Sequence, residues 1–357
     1  MRRAKWLGIL LWGVSMAAGA QEGGDGWKQR YRDATGHQFG CFGEQDDQQC
    51  RALIAGYERA MEAPDADGSV RHALFREFLH AQAVFGSILR KRGDLKGASA
   101  VLEQGYVRMM EHYDGGKHFH TLIDNLRLQS ELIQVLVMAD QQAAMIQLLG
   151  NAREAADAVY GSFEAAAGNE HKLRLQHSNL VASEDLESDV AATLAARAAG
   201  LRQQGKTAEA ARLKEAAVVA YERATAWVRF STAAGVQGQM DLEPAMRISE
   251  LQRGLGDLLA AAGEGKAAAQ AYLYAGAHSC GLLEPGTHGR VRAGEQLAPD
   301  QYLAFKECQL ASHGYLVASG ELQRLARDSA DALYREQMSL LEVDLEPLLR
   351  QTRPVKE

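Results

Sequence analysis

Apolar residues recur at three- and four-residue spacing along most of this chain, which is the period of one face of an α-helix. Within residues 70–92, for example, Leu74, Phe78 and Phe85 belong to one apolar stripe. Similar stripes occur in residues 122–138, 190–204, 207–230, 246–262 and 302–318. Alternation of period two is nearly missing, and no Asn-Gly or Asp-Gly turn separates two apolar runs. The pattern therefore predicts an all-α protein.

Three parts of the chain are less regular than the rest. Residues 21–69 show a weaker pattern, and residues 151–188 are expected to form short helices and loop. Residues 280–299 contain Gly, Pro, His and Arg without periodicity, which predicts an ordered insertion loop. No linker rich in Pro and Ser divides the chain, so we expect residues 21–357 to form a single helical-repeat domain.

A short turn motif recurs between the predicted helices. A Gly ends one helix, and a small residue follows five positions later inside the next helix. Gly can adopt the left-handed conformation that ends a helix, and a small side chain lets two helices approach closely. The motif therefore predicts antiparallel helix pairs. The copies are Gly93 with Ala98, Gly205 with Ala210, Gly263 with Ala268, and a weaker one, Gly320 with Leu325.

The best copy continues with aromatic and small residues at regular places. Leu255 and Gly256 precede the turn at Gly263, and Tyr272 and Ala275 follow Ala268. In this order the chain resembles the tetratricopeptide repeat (TPR) family, although the early Trp of that family is missing. The run 111–115, followed by residues 124–126, is similar to the longer-helix variant in kinesin light chains. The resemblance implies antiparallel helix pairs stacked as a TPR-like superhelix, an α-solenoid. The repeats are irregular, because the later turn glycines lie much further apart than the roughly 34 residues of a regular repeat.

The N-terminus has the layout of a secretory signal. Three basic residues lie within the first five positions, residues 6–16 are an apolar core, and residues 18–20 are small. A membrane-spanning helix needs roughly 20 apolar residues, and this core is shorter. We therefore expect residues 1–20 to be a cleaved signal peptide, with no membrane span afterwards. The mature chain, beginning at Gln21, is expected to be soluble in the periplasm or secreted.

The net charge limits the classes of partner, and the cysteines are consistent with export to an oxidising compartment. The formal net charge is −7, which disfavours nucleic acid or an anionic membrane surface as the main partner. An exported chain can keep disulfides, and the four cysteines allow three pairings. Local pairing of Cys41 with Cys50 and of Cys280 with Cys308 fits their clustering best. Free buried thiols remain the alternative.

Catalytic motifs are not found, and no cofactor is indicated. The strongest candidate for a metal site is the group His112, His118 and His120, with Asp114 as a further ligand. Its spacing matches no recognised zinc pattern, and no His-Glu-x-x-His occurs. A metal-dependent hydrolase that uses these histidines is therefore the alternative to a non-catalytic protein.

A surface for a protein or peptide partner is the better supported reading. In a stack of helix pairs the first helices line a groove, whose outward residues can grip an extended segment or a helix. The several Arg and Lys among them favour an acidic ligand, and a sensor of small molecules or glycans is a further alternative. The predicted groove residues are His80, Ser87, Arg90, Lys91, Arg202, Gln203, Glu250, Arg253 and Asp257.

Overall fold

The computed structural model describes residues 26–112, 119–158, 170–233, 242–284 and 286–320. Within these ranges the protein is all-α, with thirteen helices and no strand, as the sequence predicts. No helix in the described ranges is both long and apolar enough to cross a membrane. The chain divides into two compact units, one up to Ala81 and one from Gln82 onward. We describe each unit by itself.

The first unit is built on α3, which packs against α1 and α2. Asp46 accepts a hydrogen bond from the backbone N–H of Gln49 at 2.8 Å and so caps the start of α3. Helices α1 and α3 approach so closely that a Cβ atom on Gly56 would lie 2.5 Å from the Cβ of Ala34. The helices are α1 (Trp27–Thr35), α2 (Gln38–Phe42), α3 (Asp47–Met61) and the first part of α4 (Gly68–Lys91).

The second unit is a stack of helix pairs. It begins with the last part of α4 and contains nine further helices in the described ranges. They are α5 (Leu95–His112), α6 (Phe119–Met138), α7 (Gln142–Asp157), α8 (Glu170–Gln203), α9 (Thr207–Ala233), α10 (Leu242–Ala261), α11 (Gly265–Cys280), α12 (Thr287–Arg292) and α13 (Pro299–Ala318). Four antiparallel pairs, α4/α5, α6/α7, α8/α9 and α10/α11, follow one another. Helix α6 packs on α5 and α8, α9 packs on α10, and α11 packs on α13. The predicted fold of stacked helix pairs, an α-solenoid, is confirmed.

The turns within the pairs share one hydrogen-bonded geometry. Gly93, Gly205 and Gly263 have φ angles of 84°, 77° and 80°, as the turn motif predicts. In each turn the N–H after the glycine bonds to the carbonyl five residues earlier, for example Glu264 to Leu259 at 2.9 Å. This is the Schellman arrangement, which satisfies carbonyls at the end of the first helix. Ala98, Ala210 and Ala268 are all buried at the start of the second helix.

The α6/α7 turn has the same geometry but no glycine, and the sequence motif missed it. Asp140 adopts a φ of 59°, and the N–H of Gln141 bonds to the carbonyl of Leu136 at 2.9 Å. Asp is one of the few side chains that tolerate this conformation. Its carboxylate is held by the guanidinium of Arg197 on α8. Met145 lies buried five positions later, where the other turns have Ala.

Residues 170–188 differ from the expectation of short helices and loop, because they form the first half of the continuous helix α8. The apolar stripe is weak here because the buried side of α8 carries polar groups. Asn179, Ser183, Glu184 and Glu187 are all buried. A search for apolar periodicity cannot recognise a helix whose inner side is polar.

In the expected insertion loop at residues 280–299, the described residues include the short helix α12. The Sγ atoms of Cys280 and Cys308 are 2.08 Å apart, which joins the end of α11 to α13. The Sγ atoms of Cys41 and Cys50 lie at the same distance and join α2 to α3. Both pairs are the local ones predicted. Gly320 has the positive φ expected of a further turn, at 76°, but Leu325 of that motif lies outside the described residues.

Tyr272 of α11 is held between two glycines. A Cβ atom would lie 2.8 Å from its ring at Gly256 of α10 and 2.5 Å from its ring at Gly314 of α13. The Tyr272 hydroxyl also donates a hydrogen bond to Asp257 at 2.7 Å, which fixes the ring. The two glycines therefore set how closely these three helices pack.

We expect Gly314→Ala to lower the free energy of unfolding by about 1–3 kcal/mol, because the added methyl overpacks the contact with Tyr272. The matched control is Gly200→Ala in α8, where a Cβ atom meets nothing within 4 Å. There the better helix propensity of Ala should raise stability by about 1 kcal/mol. Urea unfolding followed by circular dichroism measures both changes. Equal effects at the two sites would contradict the packing argument.

The cysteine pairing predicts a specific result in peptide mapping of the purified, unreduced protein. We expect linked peptides for Cys41 with Cys50 and for Cys280 with Cys308, and an intact mass that increases by four alkylations only after reduction. Removal of the Cys280–Cys308 bond should cost about 3.5 kcal/mol of stability on the loop-closure account. Four thiols that react without reduction, or crossed pairs, would contradict this arrangement.

Candidate functional site

Three glutamates are buried in the described part of the second unit, which is unusual for a stack of helices. Glu184 and Glu187 lie on α8 and Glu307 lies on α13, with exposed fractions of 8 %, 1 % and 6 %. A buried charge is unfavourable unless an opposite charge and hydrogen bonds compensate for it. Each of these carboxylates is met by an arginine from a neighbouring helix. The arrangement forms two networks.

The first network joins α7, α8 and α9 around Glu187. Arg153 of α7 binds both oxygens of Glu187, at 2.9 and 2.8 Å. Arg223 of α9 binds Glu187 at 2.6 Å and Asp157 of α7 at 2.6 Å. Two guanidinium groups thus face two carboxylates. This network is balanced in charge, and its geometry indicates a structural role.

The second network joins α8 to α10 through Arg247. Its guanidinium bonds to Glu184 at 2.7 Å and to the hydroxyl of Ser188 at 2.9 Å. Two further carboxylates lie nearby, Asp185 at 3.7 Å and Glu250 at 3.4 Å. One arginine therefore stands among three carboxylates.

The second network continues along α10 to α13 and α11. Arg253 of α10 binds Glu307 of α13 at 2.6 Å and lies 3.4 Å from Asp257, one turn further along its own helix. Asp257 also accepts the hydrogen bond from Tyr272 of α11. Helices α8, α10, α11 and α13 are linked in this way by polar groups.

We call this second network the acidic face. It contains two guanidinium groups and five carboxylates, so its formal charge is negative. The carboxylates at its surface are well exposed, since the side chains of Asp185, Glu250 and Asp257 keep 51 %, 47 % and 57 % of their accessible area. The arginines are more covered. Solvent, or a partner, therefore meets mainly carboxylates. The residues of the acidic face are Glu184, Asp185, Arg247, Glu250, Arg253, Asp257 and Glu307.

Glu184 is the most perturbed acid in this network. Burial raises its pKa to about 7, and the guanidinium of Arg247 opposes this shift only in part. The negative charges of Asp185 and Asp189 raise the pKa further. Burial and the surplus of carboxylates thus act in the same direction.

The structure places three of the predicted groove residues, Glu250, Arg253 and Asp257, together on the acidic face. Arg90 is paired with Glu131 of α6 at 2.9 Å, and Arg202 donates a hydrogen bond to the carbonyl of Ala262 at 3.0 Å. These arginines are engaged by carboxylates or backbone, so they give less support to the expectation of an acidic ligand. Whether the set touches a partner stays a prediction.

The remaining groove residues lie elsewhere. Ser87 is buried, while Lys91 and Gln203 are exposed. His80 belongs to the first unit, where its ring meets Phe42 edge to face at 5.6 Å. The sequence search missed Glu184, Arg247 and Glu307. In the sequence these residues are charged positions within predicted helices. Charged positions on the solvated side of a helix look the same, so the sequence did not distinguish the two.

The histidine group cannot be assembled from the described residues. His112 ends α5 and its ring nitrogen Nδ1 lies 2.9 Å from the carbonyl of Arg108. His118 lies outside the described residues, and His120 is in α6 but its side chain is not among those described. In the described part of the chain, no group of three or more His, Cys, Asp or Glu is placed to hold a metal ion. A site at His112, His118 and His120 stays a prediction.

The raised pKa of Glu184 predicts a specific pH dependence of stability. Because its pKa is higher in the folded state than its ordinary value of 4.5, the folded protein holds the extra proton between these values. The stabilisation from this group is thus present at low pH and is lost as the pH rises through about 7. We expect Glu184→Gln to gain stability relative to the unchanged protein between about pH 5 and pH 8. Urea unfolding across this range tests it, with the exposed Glu154→Gln of α7 as the control for the loss of one carboxyl. A difference that does not change with pH would contradict it.

Comparisons with known proteins give limited information. No protein-family model matches the sequence, and no curated protein matches it. Among solved structures, the chain is similar to one described as a kinesin light chain of Podosopora anserina with nearly identical TPR-like repeats. The sequence identity is 17 % and the TM-score is 0.33, and the match covers 73 % of this chain and 94 % of that one. Likeness at this level carries no functional argument, so the fold assignment rests on the helix pairs described above.

Proposed function

We propose that this protein is an exported, non-catalytic helical-repeat protein that binds a protein or peptide partner through the acidic face. The observation that carries the proposal is a set of exposed carboxylates on the first helices α8 and α10, held in place by Arg247 and Arg253 of α10. Stacked helix pairs commonly present such surfaces to an extended segment or to another helix.

The fixed positions of these side chains support a binding role. Ordering a long charged side chain at an interface costs about 0.5–1.5 kcal/mol when it is free to rotate. Here Arg247 and Arg253 already bridge helices, and Asp257 is held by Tyr272 as well as by Arg253. Much of this ordering is therefore complete before a partner arrives.

Export is supported by the sequence and by the cysteines. The four cysteines form two pairs at bonding distance, and such bonds persist in oxidising compartments. The N-terminal segment has the layout of a signal peptide, although residues 1–20 lie outside the described part of the chain. We therefore propose the periplasm or the extracellular space as the location.

A photo-crosslinking amino acid at Val181 tests the proposed binding surface. Val181 is 39 % exposed and lies one helical turn before Asp185 on α8. We expect illumination in an envelope extract of the source organism to yield a discrete crosslinked protein, identifiable by mass spectrometry. An excess of the unmodified protein should compete it away.

The matched control is the same substitution at Val219, which is 44 % exposed on the second helix α9. This position should give no discrete product. Equal products at the two positions, or none at Val181 in the presence of a functioning crosslinker, would count against the proposed surface.

A further inference from the structure

We propose that the segment that binds the acidic face is basic and amphipathic, with Lys or Arg side chains on the exposed carboxylates and an apolar side chain on Val181. This inference rests on the proposed function and specifies the chemistry of its partner. The same surface would disfavour an acidic peptide, which is the ligand that the sequence pattern favoured.

The contrast between the two networks carries the charge argument. Around Glu187 the two arginines face two carboxylates, so no formal charge is left over for a ligand. The acidic face has five carboxylates and two arginines, and each arginine already contacts at least two of those carboxylates. An added anion would be repelled by the excess of carboxylates over guanidinium groups among these seven residues. An added cation would meet complementary charge.

The position of the surplus charge also matters. The carboxylates that bond most closely to arginine, Glu184 and Glu307, are the buried ones, with 10 % and 8 % of their side-chain area accessible. The negative charges of Asp185, Glu250 and Asp257 lie at the surface, where about half of each side chain is accessible. The buried pairs thus link the helices, and the exposed carboxylates are the ones a partner meets.

Apolar surface borders these carboxylates. Val181 is partly exposed one turn before Asp185, and Met246, beside Arg247, is half-buried. A partner segment with both basic and apolar residues could contact the carboxylates and cover Val181 at the same time. A purely hydrophilic segment would leave the Val181 side chain without an apolar contact. An amphipathic basic helix has these features at three- and four-residue spacing.

The proposal can be tested with synthetic peptides and the full mature chain. The probe is a fluorescein-labelled peptide of Lys, Leu and Ala with Lys and Leu at helical spacing. Two matched peptides replace every Lys by Glu or by Gln. We expect fluorescence anisotropy to show saturable binding of the Lys peptide, weakening with added salt, and no binding of the Glu peptide.

Charge reversal on the protein locates the binding. Asp185→Lys with Glu250→Lys should weaken binding of the Lys peptide roughly tenfold or more, because attraction at two positions becomes repulsion. The control, Glu103→Lys with Glu209→Lys, makes the same change in net charge at exposed positions on α5 and α9. It should retain nearly full affinity. The charge-neutralising pair Asp185→Asn with Glu250→Gln should weaken binding by an intermediate amount. It replaces the charge-reversed variant if circular dichroism shows that the latter is not folded.

The outcomes separate this inference from the proposed function. Equal loss in the two charge-reversed variants would mean general attraction by the net charge, and would overturn the inference. Preference for the Glu or Gln peptide, or no binding of any peptide, would also overturn it. In each of those cases crosslinking at Val181 still decides whether the face binds a partner of other chemistry.

Discussion

The second unit depends on very short turns that reverse the direction of the chain between paired helices. In each helix pair one residue takes a left-handed conformation, and the next N–H bonds back to the last turn of the first helix. The two helices are then forced to be antiparallel neighbours, with backbones close enough for buried alanines and glycines at their contact. Glycine is the usual residue for this conformation. Asp140 adopts the same backbone conformation without glycine, and its carboxylate is held by Arg197.

Buried ion pairs connect successive helix pairs. Helix α8 buries Asn179, Glu184 and Glu187 where a repeat protein would more often bury apolar side chains. The desolvation cost of such charges is high, and each of these two glutamates is paired with an arginine of another helix that packs on α8. Removing one partner would leave a buried charge without compensation, which makes these contacts specific for one alignment of the helices. The same arginines hold exposed carboxylates at the surface, so packing and surface chemistry are coupled.

The sequence reading and the structure disagree most where charge is concerned. Arg90, Arg202 and Arg253 suggested a basic groove when each was counted alone. In the folded chain each of them bonds to a residue of another helix or to the backbone of a turn. Among the described residues of α8 and α10, Asp185, Glu250 and Asp257 are exposed carboxylates. The sequence identified Glu250, Arg253 and Asp257, which lie together in the structure; whether they contact a ligand, and of which charge, stays a prediction.

Sequence by itself determined the helical class, the turns at Gly93, Gly205 and Gly263, and the local pairing of the cysteines. These features depend on neighbours within a few residues, or on clustering along the chain, and periodicity and glycine report such features directly. Only the tertiary structure decided that α8 is continuous from Glu170, that Asp140 closes a turn, and that Arg247 meets Glu184 across 63 residues of sequence. The physical reason is that a buried charge is stable only beside an opposite charge, which can come from a distant part of the chain. The spacing of residues along one helix does not specify which residue of another helix it will contact.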